Sequence, residues 1–82
     1  MDMAPNMIKN DGKLYLAYTS ATEELGASLY LYDLKNGRTC ARVSKAELLI
    51  DIYPHKTDPG VTLMRYIIQK EVFLRSVDFK KL

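Results

Sequence analysis

The stretch from Asn36 to Pro54 limits the fold of this chain more than any other part of the sequence. It begins with an Asn-Gly pair, which is typical of a tight turn, and ends at a proline, which cannot continue a helix. In between, Ser44 and Glu47 form the Ser-x-x-Glu pattern of a capping box, where each side chain satisfies the backbone amide of the other residue. The stretch therefore predicts a turn, then a strand, then a capped helix.

The apolar positions after the capping box indicate that the helix covers residues 44–53. Four of them recur at helical spacing and are expected to face the core: Ala46, Leu49, Ile50 and Tyr53. Leu48 and Ile52 widen this stripe. Such a wide apolar arc predicts a helix that lies across one face of a sheet.

Alternating segments before this stretch predict strands. The first two flank the loop Asn10-Asp11-Gly12, where the glycine supplies the left-handed residue of a three-residue hairpin loop. That register places four side chains on one face: Ile8, Leu14, Leu16 and Tyr18. It places Met7, Tyr15 and Ala17 on the other. A further strand is predicted over 28–34.

The turn at Asn36-Gly37 allows two registers for the next hairpin. A two-residue turn places these residues on one face: Tyr30, Tyr32, Ala41 and Val43. A three-residue loop with a bulge at Gly37 instead pairs Leu29 with Val43 and Leu31 with Ala41. We favour the second register, since it gathers the aliphatic residues toward the core and leaves the tyrosines and arginines outside.

Residues 61–77 allow either a helix or a hairpin. Val61, Met64, Ile68 and Val72 fit helical spacing, but Val-Thr-Leu and Tyr-Ile-Ile favour strands. We predict a hairpin of strands 62–68 and 72–77 that turns at Gln69-Lys70-Glu71. In that register the inward residues are Met64, Tyr66, Ile68, Val72 and Leu74, and the outward ones are Arg65, Ile67, Phe73 and Arg75.

These elements predict an α+β fold, in which the main helix packs on one face of an antiparallel sheet of about five to six strands. The 82 residues are expected to form one domain, with a loose arm over 1–6 and a basic tail over 78–82.

The composition argues against several classes of protein. One cysteine (Cys40) and one histidine (His55) provide neither an internal disulfide nor a familiar zinc spacing, so no metal and no cofactor are predicted. No apolar run approaches the about 20 residues that cross a bilayer, and the N-terminus does not have the pattern of a signal peptide. We expect a cytoplasmic protein without a membrane partner.

One sheet face is the candidate binding surface. The predicted registers gather nine residues there: Tyr15, Tyr30, Tyr32, Arg38, Arg42, Arg65, Ile67, Phe73 and Arg75. Tyrosine and arginine are enriched at binding hot spots because each buries a large area and keeps a polar group. The alternative for these residues is a structural role, because tyrosine is a good strand former and stacks with arginine across strands.

The predicted function is recognition of a protein partner, or of a second copy of the chain. Small regulators of this size, such as mobile-element or phage-type accessory proteins and inhibitors, act in this way, which is an analogy of size and type only. A nucleic-acid platform is the alternative, because aromatic rings stack on bases and arginines bind phosphate. Neither His55 nor a Cys40 thiol activated by nearby arginines has the partners of a catalytic site, so no enzyme is predicted.

Overall fold

The computed structural model describes residues 5–24 and 26–82, and within these ranges it contains seven strands, one 3-10 turn and no α-helix. The strands are β1 (Asn6–Asn10), β2 (Lys13–Thr22), β3 (Gly26–Asp33), β4 (Arg38–Ser44), β5 (Leu48–Pro54), β6 (Val61–Ile68) and β7 (Glu71–Asp78), followed by the 3-10 turn Phe79–Lys81. They form two antiparallel sheets, ordered β1-β2-β3-β4 and β5-β6-β7. The predicted α+β fold is therefore wrong.

The predicted helix over 44–53 is replaced by the end of β4, a short connection and β5. Ser44 ends β4, and the next residue, Lys45, has a φ of 68°, which a first helical turn does not accommodate. The Glu47 amide donates to the carbonyl oxygen of Ile67 at 2.8 Å. This amide is thus used to join the chain to β6, and the capping box does not form.

Strand β5 lies along β6 with a bulge in its middle. Leu49 pairs with Tyr66 and Asp51 with Arg65, so Ile50 is the extra residue and is 40% exposed. Ile50 and Tyr53 were both predicted to face the core, but Tyr53 is also 38% exposed. Leu49 is buried, as predicted.

The β1–β2 hairpin turns over two residues instead of the predicted three. Asp11 and Gly12 have φ values of 50° and 75°, the combination of a type I′ turn. Ile8 therefore pairs with Tyr15. The prediction that placed Tyr15 on the outer face is wrong, because this one-residue difference reverses every side chain of β2.

The β3–β4 hairpin has the favoured strand register. Leu29 pairs with Val43 and Leu31 with Ala41, as predicted. The register shift occurs beside Leu31, where Cys40 is the extra residue, and not at Gly37. The aliphatic residues of β3 are consequently buried, and its tyrosines lie on the opposite face.

The β6–β7 hairpin is confirmed, but its turn is one residue shorter than predicted. Ile68 pairs with Glu71, so only Gln69 and Lys70 form the turn. This shift exchanges the two faces of β7. Phe73 lies opposite Tyr66, on the face that also carries Arg75, and the prediction that these two residues share the face of Arg65 and Ile67 is wrong.

One hydrophobic core joins the two sheets. Its buried residues come from both: Ile8, Tyr15, Ala17, Leu29 and Leu31 from the first, and Ala46, Leu49, Met64, Tyr66, Val77 and Phe79 from the second sheet and its flanking segments. The rings of Tyr15 and Phe79 are 4.6 Å apart at an interplanar angle of 47°. Burial of Tyr15 in this contact raises the pKa of its hydroxyl. Phe79, in the segment 78–82 predicted to be a tail, is therefore part of the core.

Candidate binding surfaces

The outer face of the first sheet carries a cluster of three tyrosines and one arginine. We call it the tyrosine face and define it as Tyr18, Tyr30, Tyr32 and Arg42. In neighbouring strands Tyr18 pairs with Tyr30, and Tyr30 pairs with Arg42. The rings of Tyr18 and Tyr30 stack with centroids 5.4 Å apart and an interplanar angle of 23°.

Hydrogen bonding and pairing keep the tyrosine face ordered. Arg42 Nε donates to Ser28 Oγ at 3.1 Å, and the serine is fully buried beneath it. The tyrosines are half-buried, with part of each side chain exposed to solvent. Met7 and Leu16 continue the same face beside Tyr32. The result is a partly apolar surface with polar groups in defined positions.

A network of hydrogen bonds around Asp33 shapes the turn next to this face. Its carboxylate accepts from Asn36 Nδ2 at 2.6 Å and from the amides of Lys35 and Asn36 at 2.9 and 3.2 Å. These bonds, led by the one from the Asn36 side chain, lower the pKa of Asp33. Arg38, the residue paired with Asp33, is exposed at the start of β4.

The second candidate surface is the edge of the second sheet that β7 forms. We call it the β7 edge and define it as residues 71–76. All six are exposed, and three large apolar side chains stand among them: Val72 is 59%, Phe73 40% and Leu74 60% exposed. Phe73 stacks on Tyr66 with centroids 6.1 Å apart and an interplanar angle of 17°. Exposed apolar residues in this number commonly mark an interaction site.

Arg65 does not belong to either surface, because its charge is already paired. Its Nε and a terminal nitrogen bind the two carboxylate oxygens of Asp51 at 2.9 and 2.6 Å. Hydrogen bonding to Arg65 lowers the pKa of Asp51. This bidentate pair joins β5 and β6 on the outer face of the second sheet.

The nine residues predicted to form one surface thus lie in five places. Tyr30, Tyr32 and Arg42 lie together on the tyrosine face, whereas Tyr15 is buried. Arg38 lies at the end of a strand. Arg65 and Ile67 lie on the outer face of the second sheet, and Phe73 and Arg75 on the opposite face at its edge. The prediction omitted Tyr18, although the Asp11-Gly12 pair is a known signal of the two-residue turn that directs this residue outward.

His55 and Cys40 have structural partners. The His55 Nδ1 accepts from the amides of Thr57 and Asp58 at 3.2 and 3.1 Å, which orders the loop after β5. Cys40 Sγ donates to the carbonyl oxygen of Leu31 at 3.4 Å. Burial raises the pKa of this thiol, which is the opposite of the activation considered from the sequence.

Within residues 5–24 and 26–82, no three side chains of the His, Cys, Asp and Glu types cluster in a way that suits a metal ion. The same residues contain no helix of the length and apolar character that crossing a membrane demands. No family model, no curated protein and no solved structure matches this chain. The surfaces themselves are therefore the basis for a function.

Proposed function

We propose that this chain is a small, non-catalytic binding protein of the cytoplasm that recognises a protein partner through the tyrosine face. The observation that carries the proposal is the alignment of Tyr18, Tyr30 and Arg42 across three neighbouring strands, with Tyr32 beside them. Tyrosine and arginine dominate hot spots because they combine large contact area with hydrogen bonding. A paired sheet holds them in place before binding, which lowers the entropy cost of association.

The ring geometry favours a protein partner over a nucleic acid. Tyr18 and Tyr30 stack on one another, so one face of each ring is already covered. A base-stacking platform needs free ring faces. A protein partner instead needs only the parts of these half-buried tyrosines that remain exposed, because it can pack against ring edges and bond to hydroxyls.

The binding role also agrees with what surrounds the two reactive side chains. The His55 Nδ1 accepts from backbone amides of its own loop, and burial raises the pKa of the Cys40 thiol. Both arrangements support a structural use of these residues. A single cysteine in the thiol form suits a reducing compartment such as the cytoplasm.

Affinity capture with matched variants tests this proposal. The tagged wild-type chain, Tyr32→Ala and Arg42→Glu are compared for partners retained from the native host, with Tyr53→Ala and Lys56→Glu as controls. Tyr53 is a partly exposed tyrosine of the other sheet, and Lys56 is an exposed charge in the loop between β5 and β6. We expect the first two variants to lose about tenfold or more of the affinity for the same protein, and the controls to keep it.

Two results contradict the proposal. Equal retention of all partners by Tyr32→Ala and Arg42→Glu excludes the tyrosine face. Binding to oligonucleotides that falls steeply with salt, and that Arg42→Glu abolishes, assigns the face to nucleic acid instead.

A further inference from the structure

We propose that two copies of this chain pair through their β7 edges, antiparallel and with Phe73 opposite Phe73 of the second copy. The two three-stranded sheets then form one six-stranded sheet, ordered β5-β6-β7-β7-β6-β5. This inference concerns a surface separate from the tyrosine face and does not depend on the partner proposed for that face.

The backbone of β7 is free to pair on one side. Among residues 5–24 and 26–82, the strand pairs with β6 alone, and residues 71–76 are all exposed. In an antiparallel ladder, every second residue of a strand hydrogen-bonds to the same neighbouring strand. The pair Ile68–Glu71 closes the two-residue turn and is hydrogen-bonded, so Glu71, Phe73 and Arg75 bond to β6. Val72 and Leu74 consequently turn their amide and carbonyl groups away from β6, toward a second strand.

The charges of β7 are self-complementary in one register. Glu71 and Arg75 each lie two residues from Phe73, so pairing centred on Phe73 places the glutamate of each copy opposite the arginine of the other. Val72 of one copy then lies opposite Leu74 of the other, and the backbone amide and carbonyl groups of both residues point away from β6. A pairing centred on Leu74 would instead place Phe73 opposite Arg75 and leave Glu71 opposite Val77.

The side chains fit the same register. Phe73 belongs to the set that bonds to β6, so its pair with the second Phe73 is a non-hydrogen-bonded one, in which side chains approach closely. Each Phe73 already stacks on Tyr66 of its own copy at 6.1 Å. Pairing therefore creates a row of four aromatic rings across the twofold axis, while Val72 and Leu74 form an apolar strip on the opposite face.

Features of the other outer strands favour β7 as the pairing edge. β1 is short, with five residues, and short outer strands resist pairing. β4 contains the bulge at Cys40 and carries Arg38 and Arg42 with no acidic residue. β5 contains the bulge at Ile50 and ends in Pro54. Bulges, proline and like charges are the features that prevent strand edges from pairing. β7 has an unshifted register over eight residues and no proline.

Sedimentation velocity of the full chain over a range of concentrations tests the pairing. We expect the wild type to dimerise and both Glu71→Arg and Arg75→Glu to weaken dimerisation by about tenfold or more, because each places like charges in two opposed pairs. The double variant Glu71→Arg with Arg75→Glu restores the pairs and should return to within about threefold of the wild type. Arg38→Glu, an equal charge change on β4, serves as the control.

Disulfide trapping tests the register. In a Cys40→Ala background, Phe73→Cys should form an intermolecular disulfide, since non-hydrogen-bonded antiparallel partners lie within disulfide range. Val72→Cys alone should crosslink far less, but should crosslink when mixed with Leu74→Cys. Residues 72–74 are exposed, and circular dichroism establishes that each variant is folded. Leu74→Lys is a second variant expected to disrupt the dimer.

Three outcomes overturn the inference. The first is a wild-type chain that stays monomeric at every concentration. The second is a dimer that both single charge reversals and Leu74→Lys leave unchanged. The third is a dimer whose crosslinks favour Val72→Cys alone over Phe73→Cys. Loss of the dimer in Glu71→Arg with full capture of the protein partner would separate this surface from the tyrosine face.

Discussion

Leu49 lies directly opposite Tyr66 in the pairing of β5 with β6, while its neighbour Ile50 is displaced from the ladder by a bulge. We expect Leu49→Ala to lower the free energy of unfolding by about 2–5 kcal/mol, because the side chain is buried in the core. Ile50→Ala should change it by less than about 1 kcal/mol. Urea denaturation measures both, and equal losses would contradict the strand assignment.

The Thr19 hydroxyl is buried in the core without a hydrogen-bond partner among the described residues. Thr19→Val replaces this hydroxyl by a methyl group of similar shape and removes the cost of desolvating it. We expect a gain of about 1 kcal/mol in the free energy of unfolding. Ser28→Ala is the opposite control, since it removes the acceptor of the Arg42 bond and should destabilise the chain. A loss of stability in Thr19→Val would show that the hydroxyl is satisfied.

Both residues of the turn between β6 and β7 have a left-handed backbone conformation, although neither is a glycine. Gln69 and Lys70 have φ values of 49° and 69°, which glycine adopts without steric cost. Lys70→Gly relieves this steric cost but adds the conformational entropy that glycine loses on folding, so it should raise the free energy of unfolding by about 0.5–1 kcal/mol. The reverse comparison is Gly12→Ala, where a φ of 75° should make the substitution destabilising. Thermal denaturation checks both, and the same sign for both would contradict the explanation.

The Asp33 turn predicts a dependence of stability on pH. Its pKa is lowered in the folded state, so the carboxylate contributes stability above its unfolded pKa of about 4 and loses that contribution as the pH falls through the lower folded value. Asp33→Asn should be less stable than the wild type at neutral pH, and the difference should shrink below about pH 4. Denaturation at several pH values measures it. A constant difference would show that ionisation of Asp33 does not matter.

Local turn chemistry was enough to locate the hairpins but not to count their loop residues. Asp11-Gly12 and Asn36-Gly37 both mark turns, and the alternation of β3 was enough to predict the pairs Leu29–Val43 and Leu31–Ala41. Gln69-Lys70 contains no glycine, so its two-residue turn has no local signal. Since a difference of one residue exchanges the faces of a strand, Phe73 and Arg75 were placed on the wrong side.

The helix prediction failed because the bulge in β5 gives its apolar residues a helix-like spacing. Leu49 and Ile52 both belong to the inner face, and the extra residue at Ile50 separates them by three positions. A separation of three is also that of a helical stripe, so a bulged strand resembles an amphipathic helix. The capping pattern reinforced this error, because backbone pairing of Glu47 with Ile67 is invisible to local rules.

The tyrosine face was predicted in part. Tyr30, Tyr32 and Arg42 follow from the register of one hairpin, which the apolar residues of β3 and β4 specify. Tyr15 and Tyr18 exchanged places because the first hairpin was given one loop residue too many. A face built from several strands requires every turn between them to be correct.

Pro54 and the bulge at Ile50 have a consequence for the size of any assembly. They lie in β5, which becomes the outermost strand at both ends once two β7 edges have met. A strand with a bulge and a proline pairs poorly with a further strand. In a twofold dimer both copies of the contact surface are already buried, so neither can bind a third chain. We therefore expect the pairing of β7 edges to stop at two chains and not to lead to filaments.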